Sequence, residues 1–507
     1  MGRGAVAVLR AAVRRVPLAI LAIAGVIALA CAIVLACRYY QTRASSLARR
    51  EPPQQLAAAG DATPRGRFEA TVSYTCMASP TGGATSTITW DDSWFTGDTA
   101  RYNHELARAA AVLSALAYAE SNYYQASYDC PPYMEDALAA LGFDEVATDS
   151  YRYRSEIVDQ VLNVFIQEED SVAYTIARKR VDGGDGRARS LILVSVRGSY
   201  GAEWVSNLYV GEQGGARAHE ELAARAREAL ADEAERVLEY GDATVSADGS
   251  VPGPDGAAAE GSGREPADSE ARERAVAAAL AERGDHTGYT AASAESIEAV
   301  RPWIAGSHRR GEEVTLLVVG HSRGGAIANI VAAQADDELA GEAAGALGLA
   351  AGDAVACYTF AAPATTLGGQ AHAERYTNIY NVVNPSDIVP YLPLASWGYA
   401  RYGEDLYLPA LDDAGFESAY GEMNELFERA VGAPCPYDPA DVHTVRDVVG
   451  AVSEQVASAD AFLTPQGVAS VISTCATRMD PIRILYGHYP STYIAWMQAL
   501  DEDDLRR

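Results

Sequence analysis

Val314-Thr315-Leu316-Leu317-Val318-Val319-Gly320-His321-Ser322-Arg323-Gly324-Gly325-Ala326 is the stretch on which the fold turns. Its first six residues are a short apolar, β-rich run of the kind that forms a buried strand. Ala326 to Ala333 continues in a helical pattern. Between them lies Gly-x-Ser-x-Gly, residues 320 to 324. Alone, that motif carries little weight in a chain with 44 glycines; the strand before it and the helix after it supply the context it needs. A sharp strand-to-helix turn holds the serine in strained geometry, and glycines at 320 and 324 remove side chains that would collide across it. The Ser322 hydroxyl is then expected at the positive end of the following helix, where developing negative charge is stabilised. The plainer reading is a glycine-rich turn that binds phosphate, but no lysine follows the glycines as a P-loop requires.

Outward from this turn, apolar strand-like runs alternate with helical patterns. A helix near Ser293 to Ile304 precedes the motif, and strands at Ala354 to Phe360 and Asn378 to Val383 follow it. That grammar predicts an α/β fold, a mostly parallel central sheet with helices on both faces. Upstream, Ser171 to Ile176 and Leu191 to Val196 form a strand pair around the turn residues Asp182 to Gly186. Helices are expected near Arg101 to Ala119, Met134 to Leu141 and Ala218 to Tyr240, and a hairpin at Phe68 to Trp90. The catalytic body is expected over residues 96 to 507. Gly241 to Glu270 has no aromatic residue and only Val245 and Val251 as large aliphatics, which predicts a disordered insertion.

The chain has 507 residues, 49% of them hydrophobic, enough for a large core. A formal charge of −29 and a pI near 4.6 argue against nucleic-acid binding, since little here could neutralise a phosphate backbone. Val16 to Cys37 carries no charged side chain and is bounded by Arg14, Arg15 and Arg38. That length suits a membrane-spanning helix, whereas a cleavable signal has an apolar core of about 7–15 residues. A transmembrane anchor with the body outside the cell, a lipoprotein signal cleaved before Cys37, and a secretory signal all remain open. Gln41 to Arg67 is expected to be a tether. In an exported body the cysteines can oxidise. Cys357 is expected inside a buried strand, leaving Cys76, Cys130, Cys435 and Cys475 as candidates for two bridges; three connectivities are possible, and neighbour pairing of Cys76 with Cys130 and Cys435 with Cys475 is the one expected. No metal-ligand spacing appears, and no cofactor is expected.

A serine hydroxyl needs a histidine to take its proton and a carboxylate to orient that histidine, in the chain order Ser, Asp or Glu, His. Asp387, in the turn Asn384-Pro385-Ser386-Asp387 after the strand ending at Val383, is the candidate acid. Of eight histidines only His443 and His488 lie beyond it. His488 follows Ile482-Arg483-Ile484-Leu485-Tyr486-Gly487 and is expected on a loop at a strand end, where catalytic groups cluster. His443 lies beside acidic residues at the start of a helical pattern, so His488 is the expected base. The oxyanion donors are expected to be the N–H of Arg323 and the N–H and hydroxyl of Ser199, in the turn after Leu191 to Val196.

Four separated motifs, in order, resemble the class 3 lipases, the family that includes the fungal triacylglycerol lipases. They are Val196-Arg197-Gly198-Ser199 with Glu203-Trp204 and Asn207-Leu208, Val319 to Ala326, Thr359-Phe360-Ala361-Ala362-Pro363, and Asn384 to Pro393. The resemblance covers roughly residues 100 to 500. It implies an α/β-hydrolase fold, Ser322, Asp387 and His488 as the triad, Ser199 and Arg323 as the oxyanion hole, and a short lid around Trp204. Ser199 stands where the family has Thr, and Ala361-Ala362-Pro363-Ala364 stands where it has Gly-x-Pro-Arg. The first preserves the hydroxyl; the second, together with Glu203 and Asn207 at positions where the family has Asp, touches lid geometry and acyl preference rather than the reaction. Tyr391 to Tyr402 either walls an acyl cleft or is ordinary packing. The expected function is hydrolysis of carboxylic esters, of lipids above all, through an acyl-enzyme on Ser322. A short-chain or aromatic-acyl esterase, an acyltransferase, or an inert surface binding module on the same scaffold are the alternatives.

Overall fold

The structure is a computed structural model that describes residues 54–55, 64–76, 78–125, 133–149, 172–182, 187–198, 265–343, 345–462 and 464–507. In chain order its strands are β1 (Gln54–Gln55), β2 (Arg67–Thr75), β3 (Gly83–Asp91), β4 (Glu145–Asp149), β5 (Tyr174–Asp182), β6 (Ala188–Val196), β7 (Glu313–His321), β8 (Ala354–Phe360), β9 (Ile379–Val383) and β10 (Glu404–Tyr407). One sheet runs β1-β4-β5-β6-β7-β8-β9-β10, and β2 and β3 form a separate hairpin. From β6 to β10 all neighbours are parallel, and β1, β4, β5 and β6 pair antiparallel. This is the expected α/β-hydrolase arrangement, with β7 in the parallel half between β6 and β8.

The long helices are α1 (His104–Gln125), α2 (Tyr133–Ala140), α3 (Glu265–Arg283), α4 (Thr287–Arg309), α5 (Arg323–Leu339), α6 (Phe416–Val431), α7 (Asp441–Gln455), then α8 (Ala459–Phe462), α9 (Pro465–Arg478), α10 (Pro481–His488) and α11 (Pro490–Ala499). Because successive strand side chains point to opposite faces, β7 sends Leu317 and Val319 into one core and Val314, Leu316 and Val318 into another. The first core packs under α1, α6 and α11, and the second under α4 and α5. Burial on both faces explains why the parallel strands read as continuous apolar runs instead of alternating ones.

The hairpin is part of the body and not an appendage before residue 95. Val72, Tyr74, Ile88 and Trp90 are buried in the first core. Lys179 of β5, itself buried, pairs with Asp92 at 2.6 Å and donates to the Leu141 carbonyl at 2.9 Å. Trp90 Nε1 donates to the same carboxylate at 2.9 Å. A buried charge that loses its partner is strongly destabilising, so Asp92→Ala, which strands Lys179, is expected to lower unfolding stability by about 3–5 kcal/mol. A denaturant midpoint that hardly moves would show that the hairpin is held by its apolar face alone.

Several expectations change. The run Ile482 to Tyr486 is helix, α10, not strand, so His488 closes a helix instead of following a sheet strand. Asp480 Oδ1 accepts from the Arg483 N–H at 3.1 Å ahead of Pro481, an N-cap followed by proline at the first helical position. Helix α3 begins at Glu265, inside the stretch expected to be disordered. Cys435 and Cys475 are free thiols: Cys435 packs against the first core and Cys475 inside a third, which separates them. Cys76 is also a free thiol, and Cys357 is the expected buried residue of β8. Segment 16–37, Cys130, Ser199, Trp204, the helix expected at 218–240 and insertion residues 241–264 lie outside the described residues. Among the described residues no helix is long and apolar enough to cross a membrane.

The hundred residues between Asp387 and His488 supply the third core. Val445, Val448 and Val452 recur along α7 and meet Phe462, Val471 and Ile484 over Ile388, Leu394, Trp397 and Tyr399. Trp397 donates its indole N–H to the Val456 carbonyl at 2.7 Å. Within Tyr391 to Tyr402, Leu394, Trp397 and Tyr399 pack beneath this helical layer, while Tyr402 joins the second core.

Candidate active site

Strand β7 ends at His321 and α5 begins at Arg323, so Ser322 alone makes the turn. Its φ of 58° and ψ of −134° lie where non-glycine residues are rare, and such strain collects at functional sites. The glycines are required sterically. A Cβ on Gly320 would come within 2.3 Å of the Gly324 carbonyl oxygen, and one on Gly324 within 2.3 Å of the Val196 carbonyl oxygen. Both obstacles are backbone, so they cannot rotate away. Gly324→Ala is therefore expected to destabilise by at least about 2 kcal/mol and to remove nucleophile reactivity, checked by thermal melting and by titration with an active-site phosphonate. A variant that melts and reacts like the parent would mean the turn is softer than its contacts imply. Ala361, after β8, is the other non-glycine residue described at positive φ, 54°, and its amide donates to the Val382 carbonyl at 3.1 Å. It stands where the resembled family has glycine.

Ser322, His488 and Asp387 come together from three separate elements. His488 Nε2 lies 2.9 Å from Ser322 Oγ, and His488 Nδ1 lies 2.8 Å from Asp387 Oδ2. A carboxylate only accepts, so Nδ1 carries the proton and Nε2 presents its lone pair to the serine hydroxyl. Asp387 is fully buried. Its Oδ1 accepts from the Val389 N–H at 3.0 Å and its Oδ2 takes a second donor, the Tyr493 hydroxyl, at 2.9 Å. Burial, and then the neighbouring Asp387 charge, push the Tyr493 phenol well above its usual range, so it stays a donor. The same hydroxyl accepts from the Asn384 N–H at 3.1 Å. His443, the other histidine beyond Asp387, is exposed on the first turn of α7.

Arg323 opens α5, where the first N–H groups are not used by the helix's own ladder. It therefore sits where the first oxyanion donor is expected. Ser199 lies outside the described residues, but Gly198 before it is pressed against the nucleophile. A Cβ on Gly198 would fall 3.0 Å from Ser322 Cβ, 2.6 Å from the His321 carbonyl and 2.1 Å from the Tyr118 hydroxyl. The end of β6 thus abuts the turn as an oxyanion loop would. Among the described residues no three His, Cys, Asp or Glu side chains converge as a metal site.

Tyr493, Asn384, His321 and Tyr118 were not among the residues singled out from sequence. Tyr493 sits in α11, whose residues Ser491 to Met497 are all buried, and nothing local marks it from a core tyrosine. The arrangement as a whole can deprotonate a serine hydroxyl, hold the resulting imidazolium against a buried carboxylate and offer N–H groups to a developing oxyanion.

A sequence model of the family Lipase (class 3) matches residues 270–397, the span that holds both Ser322 and Asp387. No curated protein matches the chain. Solved structures similar to it include a triacylglycerol lipase described by its serine-protease-like triad, 17% identical over 61% of this chain and 82% of its own, with a TM-score of 0.31. A mutant form of MDLA from Penicillium cyclopium is 16% identical over 62% and 83%, with a TM-score of 0.29. A lipase from Rhizopus microsporus var. chinensis is 16% identical over 60% and 73%, with a TM-score of 0.28. Over the segment that carries its nucleophile turn and its acid the chain is similar to the class 3 lipases, a match that supports a serine carboxylic-ester hydrolase.

Proposed function

We propose that the protein is an exported, membrane-tethered lipase that cleaves acyl esters of lipids through an acyl-enzyme on Ser322, with His488 as base and Asp387 as its orienting acid. The observation that carries this reading is the unbroken hydrogen-bond chain from Ser322 Oγ through His488 to Asp387 Oδ2. In acylation His488 Nε2 accepts the hydroxyl proton as Oγ attacks the ester carbonyl. The oxyanion forms toward the Arg323 N–H and the Ser199 loop, and the imidazolium then protonates the departing alcohol. Water repeats the sequence on the acyl-enzyme and frees the acid. The uncharged run 16–37 supports a membrane tether; the hydrolase is proposed to lie outside the cell, and Trp204 in a short lid over the acyl site.

The test is hydrolysis of an ester series of increasing acyl length, and of an emulsified triacylglycerol, by the full chain in mild detergent beside its Ser322→Ala variant. Rising activity toward long chains that vanishes in the variant is expected. No turnover at any length, or full turnover in the variant, refutes the enzyme; preference for the shortest acyl groups without interfacial activation refutes the lipase in favour of an esterase. Surface protease treatment of intact cells tests the location, and a body that stays protected refutes it.

A further inference from the structure

The residue before the nucleophile, His321, is buried, with both ring nitrogens occupied. Nε2 lies 2.7 Å from the main-chain carbonyl oxygen of His488, and Nδ1 lies 2.9 Å from the Tyr118 hydroxyl. A carbonyl oxygen only accepts, so Nε2 carries the proton. Burial, and then the neighbouring His488 ring, hold the His321 imidazole well below its usual range, hence neutral. A neutral imidazole has one N–H, so Nδ1 is a bare acceptor and Tyr118 donates to it. The two partners therefore select a single tautomer.

The next carbonyl back along the chain, that of Gly487, accepts from Asn384 Nδ2 at 2.9 Å. Asn384 heads the turn that carries Asp387. Two consecutive carbonyls of the segment bearing the base are thus gripped, one by the acid's turn and the other by the nucleophile's. This grip matters because His488 reaches the site at the end of a long helical insert, 166 residues from Ser322 in sequence. When the ring leaves Ser322 Oγ to protonate a departing alcohol, Asp387 is the side-chain bond that remains.

We propose that His321, its Nε2–H aimed at the His488 carbonyl and its ring held on the other side by Tyr118, is a positioning residue that anchors the main chain of His488 to the nucleophile turn and so keeps base and nucleophile in register through both half-reactions. It acts through His488 and touches no substrate. Gly198 is the matching concession: a Cβ there would meet the Tyr118 hydroxyl at 2.1 Å, so a side chain at 198 would evict the phenol. The inference rests on the triad reading of Ser322, His488 and Asp387.

The experiment is steady-state kinetics of the full chain on a soluble ester, with Ser322→Ala, His321→Phe, His321→Gln and Tyr118→Phe. Wild-type turnover that Ser322→Ala abolishes establishes the triad reading; its absence sinks that reading separately. Given turnover, His321→Phe is expected to lower kcat by about 10- to 100-fold with KM held within about threefold, because a displacement near 1 Å is enough for such a loss. His321→Gln, which restores an N–H toward the carbonyl, should recover a substantial part of kcat. Tyr118→Phe, which removes the hydrogen bond that holds the ring from its other side, should lower kcat by about 3- to 10-fold. The inference is overturned if a folded His321→Phe keeps kcat within about twofold of wild type, if His321→Gln is as impaired as His321→Phe, or if KM rises while kcat holds. Should His321→Phe fail to fold, Tyr118→Phe decides alone, and an unchanged kcat refutes the proposal.

Discussion

His488→Ala is expected to lower kcat on an ester by about 10⁴- to 10⁶-fold, the range seen when one member of such a unit is removed, while His443→Ala leaves kcat within about twofold. The contrast follows from position. His488 Nε2 lies 2.9 Å from Ser322 Oγ and its other nitrogen is held at 2.8 Å by a fully buried carboxylate. His443 is exposed on α7. Without His488 nothing in the described site is placed to take the Oγ proton, and a neutral hydroxyl is a poor nucleophile. The comparison of the two variants at saturating ester, with circular dichroism to confirm folding, checks it. Retained turnover in His488→Ala together with loss in His443→Ala would reverse the assignment.

Asp387→Asn should lower kcat by about 10⁴-fold with little change in KM, because an amide cannot hold the same tautomer. The geometry here sharpens the reason. Oδ2 receives two donors at once, His488 Nδ1 at 2.8 Å and the Tyr493 hydroxyl at 2.9 Å, while Oδ1 takes the Val389 N–H. An asparagine offers one oxygen and one NH₂ group to three donors. Whichever way it flips, a donor faces a donor, and rotating His488 to its other tautomer puts an N–H toward Ser322. Tyr493→Phe removes the second donor alone and should cost about 1–2 kcal/mol of transition-state stabilisation, read as a fall in kcat/KM. A loss of less than tenfold in Asp387→Asn would show that burial alone orients the histidine.

Much of this was written locally. The glycines at 320 and 324 announce a turn only because a six-residue apolar run precedes them and a helix follows, and both neighbours are found. Asp387 was legible because a polar turn ends an apolar strand. Chain order points to His488, but the residues before it carry two opposed signals. Ile482 and Ile484 suggest a strand, whereas Asp480 and Pro481, a cap and a helix start, carried the contrary signal. The bridge expected between Cys435 and Cys475 failed because proximity in sequence says nothing about which of two cores a side chain joins.

What the amino-acid sequence determined by itself was the period and punctuation of β7 and the turn at Ser322, since these rest on contacts within a few residues. The tertiary structure alone decided the rest. Tyr118, Asn384, His321 and Tyr493 become part of the site only when α1, the turn after β9, the end of β7 and α11 converge on His488 and Asp387. The physical reason is that a hydrogen bond depends on distance and angle in space, and these partners are separated by 103 to 203 residues of chain, over which no local pattern specifies who meets whom.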